Sequence, residues 1–266
     1  MIQDVWTVCP ALSRIMITVL PGPKAWPLAL LLGLTLLALS CFGAAGGLAQ
    51  EVLIQEDFQS LDAWEPFAFK DIEKKTRYEI VISRGESLLK ASSNSSASAL
   101  VHSKTFDVYQ FPLLSWRWKV ERVYERGNAT VKQGDDYPLR VYVLFEYDPD
   151  QAGLARRLKY ALAKTLHGEY PPDSSLNYIW ANQRHAAPFL INPYAEQARM
   201  IPLQFGGARA GEWQEESRNI LKDYETAFGR QPPVKAALAI MNDSDDTGEA
   251  GVSYLDWIRV EAGGGE

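Results

Sequence analysis

The chain has 266 residues, 47% of them hydrophobic and 23% charged, with 27 Lys and Arg against 33 Asp and Glu for a net charge of −6. Its basic residues are scattered, which excludes a nucleic-acid binder, because phosphate contacts demand a concentrated positive surface. Both cysteines, Cys9 and Cys41, lie near the start, so the rest of the chain has no disulfide and relies on burial and hydrogen bonding.

In chain order, the first feature is the uncharged run from Ala25 to Gln50, placed just behind Arg14 and Lys24. A leucine-rich stretch from Leu28 to Leu39, followed by small residues through Gly47-Leu48-Ala49, has the basic flank, apolar core and small-residue end of a cleavable secretory signal. Residues 1–49 are therefore expected to be a signal peptide, with a single domain over 50–262 that is periplasmic or secreted. An uncleaved anchor is the alternative, since roughly 20 apolar residues span a bilayer. That N-terminal segment is the one expected membrane contact.

Beyond it the chain runs as short apolar stretches separated by turn residues, the pattern of a mainly β protein. Strands are expected at 52–58, 78–83, 87–91, 99–106, 113–120, 140–147, 177–180, 199–205, 234–241 and 252–260. That many strands do not fit one flat antiparallel sheet comfortably, so a two-sheet antiparallel β-sandwich follows. In 113–120, Leu114, Trp116, Trp118 and Val120 share one face, and Ser115, Arg117 and Lys119 the other. In 140–147, Val141, Val143, Phe145 and Tyr147 are expected in the core, leaving Arg140, Tyr142, Leu144 and Glu146 opposite.

Two helical insertions are expected. One covers 150–166, where Leu154, Leu158, Leu162 and Leu166 recur every fourth residue. The other covers 212–228, where Trp213, Ile220, Tyr224 and Phe228 recur near helical spacing before Gly229 and Pro232-Pro233.

The three histidines, His102, His167 and His185, have no zinc-type spacing, and Gly206–Gly211 lacks the lysine and hydroxyl of a phosphate loop. Asp243-Ser244-Asp245-Asp246-Thr247-Gly248 is the best metal candidate: Asp243 and Asp245 could give hard oxygens to calcium. Thr247 stands where a third acid is wanted, and a tight acidic turn held by Asx-type hydrogen bonds is the competing reading. Asp135, Asp136 and Glu146 are the acids a glycosidase would use, although adjacent Asp135 and Asp136 should point in different directions. Trp180 with Asn177 and Tyr178, and Tyr142 with Arg140, combine flat rings and directional polar groups of the kind that hold sugars. For any one of these rings, filling the space between layers is the competing role.

The order Thr76-Arg77-Tyr78, Leu89-Lys90-Ala91, Trp116-Arg117-Trp118-Lys119-Val120, Gly134-Asp135-Asp136, Arg140-Val141-Tyr142-Val143, Asn177-Tyr178-Ile179-Trp180, Asn192-Pro193-Tyr194, Arg218-Asn219, Asp223-Tyr224, Phe228-Gly229 and Ala239-Ile240-Met241 through Gly248 resembles the bacterial domain-of-unknown-function 3047 family. The resemblance covers about 51–260 and implies export without implying an activity. Within its motifs Arg218 joins the candidate ligand residues. Glu56-Asp57-Phe58, Trp64 and Tyr254 to Ile258 also look like the edges of jelly-roll carbohydrate-binding modules, a likeness of fold alone.

The expectation is thus a jelly-roll β-sandwich that binds a glycan or other polar envelope ligand, through Arg140, Tyr142, Asn177, Tyr178, Trp180 and Arg218, without catalysis. A glycan-cleaving or glycan-modifying enzyme and a structural envelope assembly protein are the alternatives.

Overall fold

Apolar residues at every second position need an opposing layer to bury them, and the chain meets that need by stacking two sheets. The structure, a computed structural model, describes residues 50–150, 153–154, 157, 160–161 and 170–263. Among these the strands are β1 (Val52–Glu56), β2 (Trp64–Phe67), β3 (Arg77–Ser83), β4 (Glu86–Asn94), β5 (Ala97–Asp107), β6 (Leu113–Val120), β7 (Arg140–Phe145), β8 (Ser174–Ala181), β9 (Leu190–Ile191), β10 (Ala198–Phe205), β11 (Gln214–Asn219), β12 (Lys235–Asp243) and β13 (Ala250–Glu261). Helix α1 (Ile220–Phe228) lies between β11 and β12.

The first sheet runs β11-β6-β13-β4-β3, with β1 also on β13. The length of β13 makes this possible. One of its edges pairs with β6, while the other pairs with β4 from Ala250 to Leu255 and with β1 from Ile258 to Glu261. The second sheet runs β2-β5-β12-β7-β8-β10-β9. Its β8–β10 pair is parallel, which corrects the expectation of a wholly antiparallel sandwich. A parallel neighbour needs a long return connection, supplied by the segment between β8 and β10 that carries β9.

The expected alternation in β6 holds: Leu114, Trp116, Trp118 and Val120 are fully buried between the sheets. They meet Val141, Val143 and Phe145 of β7 and Leu176, Tyr178 and Trp180 of β8. Trp116 packs on Tyr178 with ring centres 5.2 Å apart and Trp118 on Trp180 at 5.7 Å, while the two β6 indoles stand edge-to-face at 5.5 Å. These rings clamp one layer to the other, and each pair adds about 0.5–1.5 kcal/mol to its burial.

The outer face of the second sheet is also covered. Phe69 and Ile72 lie over Ala99, Val101, Tyr142, Ala239 and Met241. Tyr137 and Ala129 lie over Ile179, Ala181 and Met200. β8 is consequently buried at every position.

Residues 214–219, expected to be helical, form β11 instead. Their backbone groups find partners along the open edge of β6, from Gln214 opposite Trp118 to Asn219 opposite Leu113, and tertiary pairing overrides local spacing. The helix begins only at Ile220, where the Asn219 side chain accepts from Lys222 N at 3.0 Å. It ends at Gly229, whose φ of 66° gives the left-handed cap. The other expected helix, 150–166, falls largely outside the described residues; of its leucines only Leu154 is described, and it is exposed. Among the described residues no helix is long and apolar enough to cross a membrane, and residues 1–49, expected to be a signal peptide, lie outside them.

Candidate functional site

The outer face of the first sheet stays open to solvent. Core residues of β6 point inward, so Arg117 and Lys119 point outward. Register then sets them in rows across the sheet: Glu79 of β3 pairs with Lys90 of β4, Lys90 with Tyr254 of β13, and Tyr254 with Lys119 of β6. A bulge between Leu255 and Trp257 keeps Asp256 on the outer face beside Arg117. Trp213 arrives from outside the sheet. Gly211, with φ at 85° and its N–H donating to Val120 O at 2.8 Å, turns the chain back so that the indole lies over β6.

Lys90, Arg117, Lys119, Trp213, Tyr254 and Asp256 line a cleft of about 570 Å³ together with Val81, Arg84, Glu86 and Leu88. Its charges are arranged by ion pairs. Arg117 reaches Asp256 at 2.7 Å and Glu215 at 3.5 Å, and Lys90 reaches Glu79 at 3.5 Å. Lys119 Nζ sits between two rings, 5.1 Å from Trp213 and 4.5 Å from Tyr254, and among the described residues it has no carboxylate partner. Arg117 also lies 5.1 Å from the Trp213 ring. The Tyr254 hydroxyl donates to Glu121 at 3.0 Å; burial and that neighbouring carboxylate push its pKa up to about 12, so it stays a neutral donor. Aromatic faces beside positive groups favour a polar ligand with apolar ring faces and negative charge.

The residues expected to bind ligand sit elsewhere. Tyr178 and Trp180 are inter-sheet core and present no ring face to solvent. Their polar atoms are engaged, the Tyr178 hydroxyl donating to Asp223 at 2.9 Å and Trp180 Nε1 to Gly206 O at 3.1 Å. Asn177 is buried and accepts from Ser175 Oγ at 2.7 Å. Tyr142 lines a small apolar cavity of about 30 Å³ under Phe67 and Phe69. Arg218, a third exposed, is paired with Asp223. For the rings of Tyr142, Tyr178 and Trp180, the competing role of layer filling is the one their environment matches. Trp213 and Tyr254 were missed: Trp213 matched a helical spacing, and the outward set of β6 read only as a wet face.

Arg140 is a second centre of charge, at the end of the second sheet, and it is fully buried. Its Nε donates to Asp243 Oδ1 at 2.9 Å, its Nη2 to Asp243 Oδ2 and to Asp135 O, and its Nη1 lies 3.4 Å from Asp135 Oδ2. Asn192 donates to the same Asp135 oxygen at 2.7 Å. Asp136 turns away and accepts from Thr247 N at 2.6 Å, as expected of adjacent acids on an extended chain. Asp136, Asp243 and Asp245 bring one oxygen each to within 4.8 Å of one another. Burial first, then the Asp136 and Asp246 charges, push the Asp245 pKa up to about 6; burial also raises Asp135, Asp136 and, most strongly, Asp243. Glu146 lies past the other end of β7, roughly 20 Å from Arg140 at the rise of a strand, beyond the spacing of about 5–10 Å that a glycosidase acid pair uses.

The chain has no match among the curated proteins. Among solved structures it is similar to the glycoside hydrolase domain of Endo-D from Streptococcus pneumoniae R6, at 12% identity and a TM-score of 0.33 over 76% of this chain. It spans only 22% of that longer chain. It is also similar to winged bean acidic lectin in complex with methyl-α-D-galactose, at 7% identity and TM-score 0.34 over 75% of this chain and 98% of that one. The Lotus tetragonolobus seed lectin matches at 9% identity and TM-score 0.34, over 76% and 99%. Likeness at that level assigns neither ligand nor activity. The family comparison is of another order: the DUF3047 model, described as a protein of unknown function, matches residues 62–259, and the chain belongs to that family.

Proposed function

We propose that this protein is an exported β-sandwich that binds a glycan of the cell envelope, one carrying acidic groups, across the outer face of its first sheet. The observation that carries the reading is Lys119 held between the Trp213 and Tyr254 rings in an open cleft. A sugar ring stacks on an indole through its C–H face, and its carboxylate or phosphate finds Lys119, Lys90, Arg117 and Arg84 along the same wall. Glu86 and Asp256 are the acids of that wall, and Glu79 and Glu215 pair with Lys90 and Arg117 beside it, so Lys119 is the cation that among the described residues has no carboxylate partner. Export rests on the leader over 1–49, and binding without catalysis is the simplest use of a face built from aromatics and paired charges.

Calorimetric titration of the protein with neutral and uronic-acid or phosphate-bearing polysaccharides tests this. Saturable binding to an acidic member, weakened about tenfold or more in Trp213→Ala and in Lys119→Ala, is the expected result. Binding to no member, or wild-type affinity retained in both variants, would overturn it.

A further inference from the structure

The acids beside Arg140 are not explained by the ligand face, which belongs to the other sheet. Two stretches distant in sequence deliver them: Asp136 comes from the loop before β7, and Asp243 and Asp245 come from the end of β12 and the β12–β13 turn that follows it. Convergence of carboxylates is common on surfaces and by itself carries little. Here it occurs in the interior, where Asp136 is 3% exposed and Asp243 is wholly buried.

The second observation concerns satisfaction. One oxygen of Asp136 and one of Asp245 are buried with no hydrogen-bond partner among the described residues. A carboxylate oxygen withdrawn from water without a donor or a cation costs several kcal/mol, so native interiors rarely keep one, let alone two on converging groups. Nor does a basic side chain among the described residues form an ion pair with them. Arg140 is committed to Asp243 and Asp135, and no Lys or Arg among the described residues pairs with Asp136, Asp245 or Asp246. Asp246 instead accepts from the Tyr194 hydroxyl at 2.7 and 2.8 Å.

We infer that Asp136, Asp243 and Asp245 bind a divalent cation, calcium, where the β12–β13 turn meets the loop before β7. The donor set decides the metal. It is all oxygen, with no histidine or cysteine in the group, which disfavours zinc and suits a hard ion. The three oxygens lie within 4.8 Å of one another, close enough for one ion to touch all of them at calcium–oxygen distances of about 2.3–2.6 Å, whereas magnesium demands near-ideal octahedral geometry at about 2.0–2.1 Å and keeps several of its waters. The frame is preformed around them. Ser244 N donates to Ser96 O at 2.9 Å, Gly248 N to Ser244 O at 2.9 Å, and Thr247 N to Asp136. Arg140 orients the Asp243 carboxylate through its two hydrogen bonds, leaving the remaining lone pairs to the cation. Backbone carbonyls and water complete the usual six to eight ligands.

The test uses the purified full chain, stripped with chelator and then melted without metal, with calcium chloride and with magnesium chloride. Calcium at a hundredfold excess over its Kd raises the Tm by about 5–10 °C, with a smaller magnesium effect. Asp245→Asn, at a half-buried turn position that leaves Arg140 paired, weakens calcium binding about tenfold or more. Asp136→Asn does the same; should that variant not fold, terbium luminescence excited through nearby tyrosines and displaced by calcium in the wild type reports the site without a mutation. No Tm change with calcium and no displaceable terbium signal would overturn the inference. An undiminished calcium response in Asp245→Asn, or a magnesium response equal to that of calcium, would do so as well.

Discussion

Arg140 holds Asp243 by two hydrogen bonds, Nε donating to Oδ1 at 2.9 Å and Nη2 to Oδ2, and neither side chain reaches solvent. A pair buried this deeply is weak evidence for net stability, but removing one member strands the other's charge, at a cost of about 3–5 kcal/mol. Arg140→Met in metal-free protein is expected to lose that much in urea unfolding. Combined with Asp243→Asn it should lose at least about 1 kcal/mol less than the two single losses together, because the stranded charge is gone. Strict additivity would show that the pair does not act as a unit.

Gly251 of β13 faces the buried Tyr124 ring. A Cβ there would stand 2.8 Å from Cε1 and 2.9 Å from Cζ, and closer still to the hydroxyl, which is fixed by Ser93 Oγ at 2.9 Å. Gly251→Ala is expected to cost about 1–3 kcal/mol by overpacking, with partial recovery in Gly251→Ala/Tyr124→Phe, where the nearest atom is removed. Unchanged thermal melting of the single variant would mean that β13 shifts away from Tyr124 at no cost.

Glu216 accepts from Gln204 Nε2 at 2.8 Å and Trp118 Nε1 at 3.2 Å, and burial raises its pKa above the ordinary 4.5 despite those donors. Between the ordinary and the raised value the folded chain holds more protons than the unfolded one, so this group's contribution falls as pH rises through that window. Glu216→Gln is therefore expected to be more stable than wild type at pH 7 and to lose its advantage below about pH 4, where the carboxyl is protonated in both states. Denaturation midpoints at the two pH values decide it; an advantage that persists in acid contradicts the sign.

Trp180 and Trp213 should behave in opposite ways. Trp180→Ala removes a fully buried ring from the inter-sheet clamp and is expected to cost about 3–5 kcal/mol. Trp213→Ala, at a half-buried rim, is expected to cost about 1 kcal/mol or less while abolishing most ligand affinity. Equal destabilisation in the two variants would move Trp213 into the core.

That contrast shows what local pattern carries and what it does not. The alternation of Leu114, Trp116, Trp118 and Val120 foretells both the strand and its buried face, because the period of a pleated strand is a property of adjacent residues. Residues 212–228 misled because Trp213 and Ile220 fit one face of a helix equally well when Gln214–Asn219 is extended; only the open edge of β6 decides between the two. Short β2 and β9 carry too little pattern to stand out, and Pro66 in β2 is tolerated because that strand lies at the sheet edge. Asp243 and Asp245 were legible as a local acidic turn, but Asp136 joins them through tertiary pairing that no short motif records. Trp180 and its neighbours looked like a sugar platform by composition. Composition does not say which side of a strand is covered, and in this chain both faces of β8 are.

The most direct measurement of the account is hydrogen exchange across the chain with and without a saturating acidic polysaccharide. Slowed exchange in β6, in the stretch from Gly211 into β11 and in β13 around Tyr254, with β8 unchanged, is the predicted result. Protection confined to β7 and β8, or absent everywhere, would contradict it.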